Sequence, residues 1–293
     1  MTPLRVEAPA KLNLSLRVVA RRDDGFHELD GVMLLLELAD HLLLTPGCSG
    51  LRVTDPDGAP VGEVPVDPEA NLAWRGLRAG LGRSPDEALV CLALEKRIPV
   101  RGGLGGGSSD AAAAWRLARG AAGEAPAATP DDLAGLARIG ADVPFFAACA
   151  VAARVRGIGE RVEPIAPPAS LEVVLAHPRR GLATAAVFAE LRHGDWSSEV
   201  ADDVDSALAE GTNDLWRPAL RLEPELEEIA ALVAAAGGHP RLTGSGPTLF
   251  AITDDPERAD GIAARLARAG VRTTRTRSRA QAATIQPIDQ EEA

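Results

Sequence analysis

PVRGGLGGGSSDAAAAWRLARG, residues 99 to 120, joins a glycine-rich run to an alanine-rich one. Four of the five residues from Gly103 to Gly107 are glycine, and Ser108, Ser109 and Asp110 follow. A flexible hinge ahead of an ordinary helix would give this composition. So would a loop built to bring bare backbone N–H groups against an anion. The residues behind the glycines favour the second reading. Serine and aspartate are good capping residues, and alanines propagate a helix. The positive end of that helix, with its free N–H groups, then faces the glycines, which is how chains hold phosphate. Two standard phosphate motifs fail here. A Walker A loop needs lysine where this chain has Ser108, and a dinucleotide fingerprint needs a parallel βαβ setting that the flanking sequence does not offer.

The 293 residues are 46% hydrophobic, enough for two domains with real cores. No stretch reaches the roughly 18 uninterrupted apolar residues of a membrane span, and the first residues lack the basic-then-apolar layout of a signal peptide. Cys48, Cys91 and Cys149 are far apart in sequence, odd in number and match no metal spacing. The expectation is a reduced, cytoplasmic protein. A net charge of −11 argues against a broad nucleic-acid surface, while leaving room for a locally positive pocket. Lys11 and Lys96 are the only lysines; every other basic residue is arginine.

Along the chain, Leu12, Leu14, Leu16 and Val18 alternate with Lys11, Asn13, Ser15 and Arg17, the period of a half-buried strand with Lys11 and Asn13 on its polar face. Residues 32–44 predict another strand, 71–81 a helix and 88–97 a strand. TPDDLAGLARIG, residues 129–140, has Thr129 as N-cap and Pro130 at the first helical position. The glycines and prolines between 152 and 168 suggest a crossing between domains. Thereafter strands and helices alternate in α+β fashion: LEVVLAHP, TAAVFAEL, PELEEIAALVAAAGG, RLTGSGPTLFAI, DPERADGIAARLARAG and VRTTRTRSR. The acidic end, DQEEA, predicts a frayed tail.

IPVRGGLGGGSSDAAAA closely resembles the phosphate loop of the GHMP kinases, the superfamily of galactokinase, homoserine kinase and mevalonate kinase. APAKLNLSLRVVARRDDGFHEL, IGADVPFF, GIGERVEPI and LTGSGPTLFAI extend the resemblance over nearly the whole chain, in the family's order. It implies a two-domain α+β fold, with a ribosomal-protein-like α/β domain over residues 1–155, a ferredoxin-like domain over 156–293, and the active site in the cleft between them. It implies an ATP-dependent phosphotransferase with an alcohol acceptor and Mg2+. In the branch these segments favour, the acceptor is the 2-hydroxyl of a methylerythritol carrying cytidine diphosphate, on the non-mevalonate route to isoprenoid precursors. A small-molecule substrate and ATP are then the partners, with neither nucleic acid nor membrane, and the chain would be a monomer or a homodimer.

Residue by residue, the resemblance makes Asp142 the base that takes the hydroxyl proton, and Lys11 the ammonium beside it that offsets charge on the phosphoryl group. Taken alone, Asp142 would be a turn or cap residue and Lys11 an exposed strand lysine. ATP would be held by Gly103, Leu104, Gly105, Gly106, Gly107, Ser108 and Ser109, with Asn71 and Lys96 near the adenine. Asn71 also suits a helix start, and Lys96 a strand end. Asn13 would orient the acceptor. Phe26 stands where the family tends to carry tyrosine; it keeps a stacking face for cytosine while losing a hydroxyl. His27 would read the base's polar edge and Phe188 cover its other face, although Phe188 fits a core equally well. Thr184, Gly244 and Ser245 would complete the acceptor side, unless they serve a helix cap and a tight turn. The metal ligands are left open, with a hydroxyl of Ser108 or Ser109 as one candidate. Two other readings stand beside this one: a homoserine- or mevalonate-type kinase, and a non-catalytic nucleotide-binding protein on the same scaffold.

Overall fold

The computed structural model describes residues 2–288 apart from 63, 66, 68, 126 and 197–203. The expected acidic tail, residues 289–293, lies outside the described residues.

Two sheets carry the fold. In the first, β1 (Leu4–Arg21) pairs along almost its whole length with β2 (His27–Pro46). β2 is long enough to change partners. Residues 29–34 pair with β5 (Ala152–Gly157), and 41–46 pair with β4 (Val90–Glu95). β3 (Gly50–Thr54) lies parallel to β4, and β6 (Arg161–Ile165) closes a hairpin with β5. Three helices cover this sheet: α1 (Leu72–Leu81), the four-residue α2 (Pro85–Ala88) and α3 (Gly106–Ala121). The alanines of α3 explain themselves here. Ala113, Ala114 and Ala118 pack under α1 and the sheet, and Ala111 and Ala112 pack toward Phe145 and Phe146. Larger side chains would hold the helices apart. Then α4 (Pro130–Leu136) starts with a reciprocal cap between Thr129 and Asp132, and α5 is Val143–Ala147.

In the second sheet all pairings are antiparallel. Its strands β7 (Glu172–His177), β8 (Arg241–Leu242), β9 (Leu249–Thr253) and β10 (Arg272–Arg277) stand in the spatial order β10-β7-β9-β8. With α6 (Thr184–Ala189), α7 (Val204–Glu210), α8 (Trp216–Leu222), α9 (Glu225–Ala235) and α10 (Pro256–Arg268), this is the ferredoxin-like arrangement expected of the second half. The last strand, β11 (Gln286–Pro287), returns to the first sheet beside β1.

Three expectations change. Residues 152–165 are not a crossing but a hairpin of the first sheet, and the chain passes to the second sheet over 166–171. β1 is not half-buried. Its leucines face a core that includes Val173, Leu175 and Phe250 of the second sheet. Its polar face is also covered, with Lys11 and Asn13 2% exposed and Ser15 fully buried. Alternation reports which residues share a face, not whether water reaches it. Finally, Cys48 and Cys91 are not isolated thiols. The turn after β2 folds back over β4, where Thr45 and Gly50 both register with Cys91, and the two cysteines form a disulfide with Cα atoms 5.3 Å apart. Cys149 is free. Among the described residues no helix is long and apolar enough to cross a membrane.

Candidate active site

A cavity of about 1260 Å³ runs between the two sheets. It is lined by the glycine loop, the polar face of β1, the turn at Gly25–His27, α6 and the Gly244–Ser245 loop.

The glycine loop takes its shape from two residues. Gly105 has φ +73° and is the N-cap of α3. A Cβ there would lie 2.9 Å from the Phe146 ring and 3.1 Å from Lys11 Cε. Gly103 has φ +74°, and a Cβ there would meet Thr243 O at 2.4 Å and Gly246 O at 2.8 Å, both from the second half of the chain. The expected caps, Ser108, Ser109 and Asp110, fall inside α3 and not ahead of it, because the helix already begins at Gly106. No side chain therefore caps α3, and its first N–H groups face the cavity as a row of donors suited to phosphate oxygens. Ser108 lines the cavity. Ser109, one helical step on, is turned into the interior at 1% exposure and does not line it. Leu104 presents backbone: its carbonyl accepts from Lys11 N at 3.0 Å, while its side chain is core.

At the centre, the Lys11 ammonium donates to Asn13 Oδ1 and lies 3.3 Å from Asp142 Oδ2. Lys11 is buried, whereas the Asp142 side chain is 30% exposed toward the cavity. Asp142 occupies the N-cap position of α5 but makes no capping hydrogen bond, which leaves its carboxylate to Lys11 and to a ligand. The Gly244 loop covers this pair; a Cβ on Gly244 would sit 3.3 Å from Lys11 Nζ. That loop is held by Asn213, whose Nδ2 donates to Leu242 O and Gly244 O, each at 2.9 Å. Thr243 Oγ1 accepts from Asn13 N at 3.1 Å, tying the loop to β1. Behind the loop His177 is within hydrogen-bonding distance of Thr248 (3.3 Å) and Thr274 (3.0 Å). Burial, then the charge of Arg272, lowers its pKa to about 4.

At one end of the cavity His27 stacks on Phe188, with ring centroids 5.2 Å apart and 28° between planes, and meets Trp196 edge-on at 6.1 Å. Burial, and then the charge of Arg21, holds the His27 imidazole below its usual pKa, so at neutral pH it has one donor and one acceptor nitrogen. Phe26 sits at the rim, 58% exposed. Phe26, His27 and Phe188 all line the cavity, but the two phenylalanines are not arranged about an empty slot, because Phe188 lies on the histidine itself. Thr184 is bonded to Ser245 at 3.0 Å, hydroxyl to hydroxyl.

At the other end, Asn71 and Lys96 both line the cavity, each with a structural task as well. Asn71 caps α1, accepting from Ala73 N at 2.9 Å and Trp74 N at 3.3 Å. Lys96 is buried between Asp40 and Asp110, with its Nζ 2.7 Å from Asp110 Oδ2. Asp40 also accepts from Ile98 N at 2.8 Å. Burial is the main cause that raises the Asp110 pKa to about 8, against the pull of Lys96; two carboxylates share one ammonium. This cluster ties the N-terminal part of α3 to β2 and to the residue that follows β4.

Residue patterns did not single out Trp196, Asn213 or Arg101. Trp196 has no neighbour in sequence that marks it, and Asn213 matters only because the fold brings it under Gly244. Arg101 carries a local sign after the fact: it is a non-glycine at φ +55° beside two glycines, a conformation costing about 1–2 kcal/mol. Among the described residues no group of three or more His, Cys, Asp or Glu could hold a metal ion.

The chain matches the model of the GHMP kinases N terminal domain over residues 71–150 and that of the GHMP kinases C terminal over 201–272. It is 42% identical over 283 residues to the 4-diphosphocytidyl-2-C-methyl-D-erythritol kinase of Streptomyces coelicolor, covering 90% of this chain and 92% of that one. It is 38% identical over 269 residues to the enzyme of the same name from Nitrobacter hamburgensis, covering 86% and 87%. Among solved structures, a 4-(cytidine 5'-diphospho)-2C-methyl-D-erythritol kinase superposes with a TM-score of 0.73 at 36% identity, over 94% of this chain and 99% of that one.

Proposed function

The chain belongs to the 4-diphosphocytidyl-2-C-methyl-D-erythritol kinase family of the GHMP kinases, and we propose that it transfers the γ-phosphate of ATP to a hydroxyl of 4-diphosphocytidyl-2-C-methyl-D-erythritol, with Asp142 as the base. The observation that carries the roles is the Lys11–Asp142 pair at 3.3 Å, set between an uncapped phosphate loop and an aromatic pocket. Phosphoryl transfer asks mainly for positioning and charge stabilisation. The α3 N-terminus and Gly103–Ser108 hold the donor's phosphates. The cytosine end of the acceptor enters the Phe26, His27, Phe188 and Trp196 pocket, which turns the alcohol toward Asp142. Asn13 keeps the Lys11 ammonium in place, and Thr184, Gly244 and Ser245 form the opposite wall. The hydroxyl proton passes to an Asp142 carboxylate oxygen as the alcohol oxygen attacks, and the Lys11 ammonium stabilises the charge that develops on the phosphoryl oxygens.

Mg2+ suits this site as a partner of the nucleotide, since the ion keeps several waters and needs few protein ligands; the Ser108 hydroxyl is the side chain in the glycine loop suited to meet it. When bound, it would neutralise phosphate charge. A cytoplasmic setting, where ATP is made, fits the donor. Homoserine- and mevalonate-type kinases have no use for a pocket that stacks a nucleobase. The test is ADP release from Mg-ATP with the cytidyl acceptor, homoserine and mevalonate in parallel. Turnover of the cytidyl compound alone supports the proposal, and turnover of either other alcohol in its place overturns it. Nucleotide binding without any turnover would favour a non-catalytic role.

A further inference from the structure

Cations that line the cavity fall into two groups. Lys11 is paired with Asp142, and Lys96 with Asp40 and Asp110. Among the described residues, Arg21 and Arg101 line it with no carboxylate partner. Arg21 stands beside the aromatic pocket, where its charge acts on His27. Arg101 is at the other side of the acceptor's path. Its stem crosses the cleft from the glycine loop to the segment leading into α6: a Cβ on Gly181 would lie 3.1 Å from Arg101 Cβ and 3.7 Å from its Cδ. Three residues after Gly181 comes Thr184, bonded to Ser245, and Gly244 of that loop lies against Lys11. An acceptor with its base at the Phe26, His27, Phe188 and Trp196 pocket and its alcohol at Asp142 must therefore pass its middle along this wall.

We propose that Arg101 is a binding residue for the diphosphate of the acceptor. This rests on the reading under Proposed function, in which a diphosphate joins the stacked base to the reacting alcohol. A guanidinium can hold two phosphate oxygens at once through its fixed fork of donors. Here it is exposed, unpaired and carried on a backbone with φ +55° that glycine would adopt more easily. The donor's phosphates are served further along the loop, by the N–H groups at the start of α3. Arg101 thus supplies charge to the acceptor where the paired lysines do not.

The test compares Arg101→Gly, Arg101→Lys and Arg180→Ala with the wild type. Arg180 is an exposed arginine next to Gly181 that does not line the cavity, so it controls for net charge. Glycine suits the backbone at 101, so R101G should melt at or above the wild-type temperature. It should raise the acceptor KM about tenfold, leaving the KM for ATP within about twofold. R101K should recover part of the loss, and R180A should match the wild type. In direct binding, R101G should lose about tenfold for CDP and nothing for cytidine. An unchanged acceptor KM, a raised ATP KM in its place, or an equal effect of R180A overturns the proposal. If the wild type uses a different alcohol, the functional reading fails, and the comparison of CDP with cytidine still decides whether Arg101 holds a diphosphate.

Discussion

Replacing Asp142 by asparagine keeps the size of the side chain and removes one charge and one proton acceptor. The structure separates two consequences. For catalysis, the proposed base is lost, and a positioned base is worth about 10²–10⁴ in rate. That corresponds to about 3–5 kcal/mol of barrier. For stability, the loss is small. Asp142 is 30% exposed and makes no capping bond, and the Lys11 ammonium keeps Asn13 Oδ1 as acceptor. A partly exposed ion pair of this kind contributes at most about 1 kcal/mol, or a fall of about 2–4 °C in melting temperature for a chain of this size. D142N should therefore be folded, bind both substrates nearly as well, and release ADP about a thousandfold more slowly at saturation. Steady-state ADP release and a thermal melt on the same preparation check both halves. A rate within tenfold of wild type, with the melt unchanged, would refute Asp142 as the base.

Three other outcomes follow from the packing around the site. Lys96→Met strands two buried carboxylates, a loss of about 3–5 kcal/mol. Because burial holds the Asp110 pKa up near 8, the deficit measured by melting should be smaller at pH 5, where Asp110 takes a proton, than at pH 8; a loss under about 1 kcal/mol at pH 8 would mean the cluster is not buried as described. Gly103→Ala forces a Cβ to within 2.4 Å of Thr243 O at a φ of +74°, so it should lower the melting temperature and weaken ATP binding together in calorimetry. Unaltered binding and stability would disprove the close approach of the two loops. His177 is neutral in the fold because burial lowers its pKa from 6.5 to about 4. The stability it contributes is complete above about pH 6.5 and is lost as the pH falls toward about 4, up to about 3 kcal/mol in all. His177→Asn should flatten the fall in melting temperature between pH 7 and 5, and parallel curves for the two proteins would refute the assignment.

Local patterns carried the site far, and they stopped where distance in sequence ceased to measure distance in space. The alternation from Lys11 to Val18 placed Lys11 and Asn13 on one face correctly, because a strand fixes that whatever surrounds it. It misjudged their exposure, since the cover comes from residues 243–244, more than two hundred positions on. The glycine loop and helix were legible as a unit. The cap was not, because the helix starts two residues earlier than its best capping side chains, and Ser109 then rotates inward. Asn71 read as a helix start and is one, yet it also reaches the cavity. Trp196 and Asn213 were invisible for a common reason: each acquires its place through a partner, His27 or Gly244, supplied by a different part of the chain. The Cys48–Cys91 pair was hidden by a turn that folds two strands onto a third.

The distribution of amines on this protein makes it a sensor of its own cleft. Lys11 and Lys96 are its only lysines, both lie inside, and both are engaged by carboxylates. Every other strongly basic side chain is arginine, whose guanidinium an acylating reagent leaves alone. Its attack on Lys11 must wait until the ammonium leaves Asp142, loses a proton and meets the reagent in the cavity. The rate at which mass is added at Lys11 is then a clock for that exposure, and bound nucleotide or acceptor should stop it.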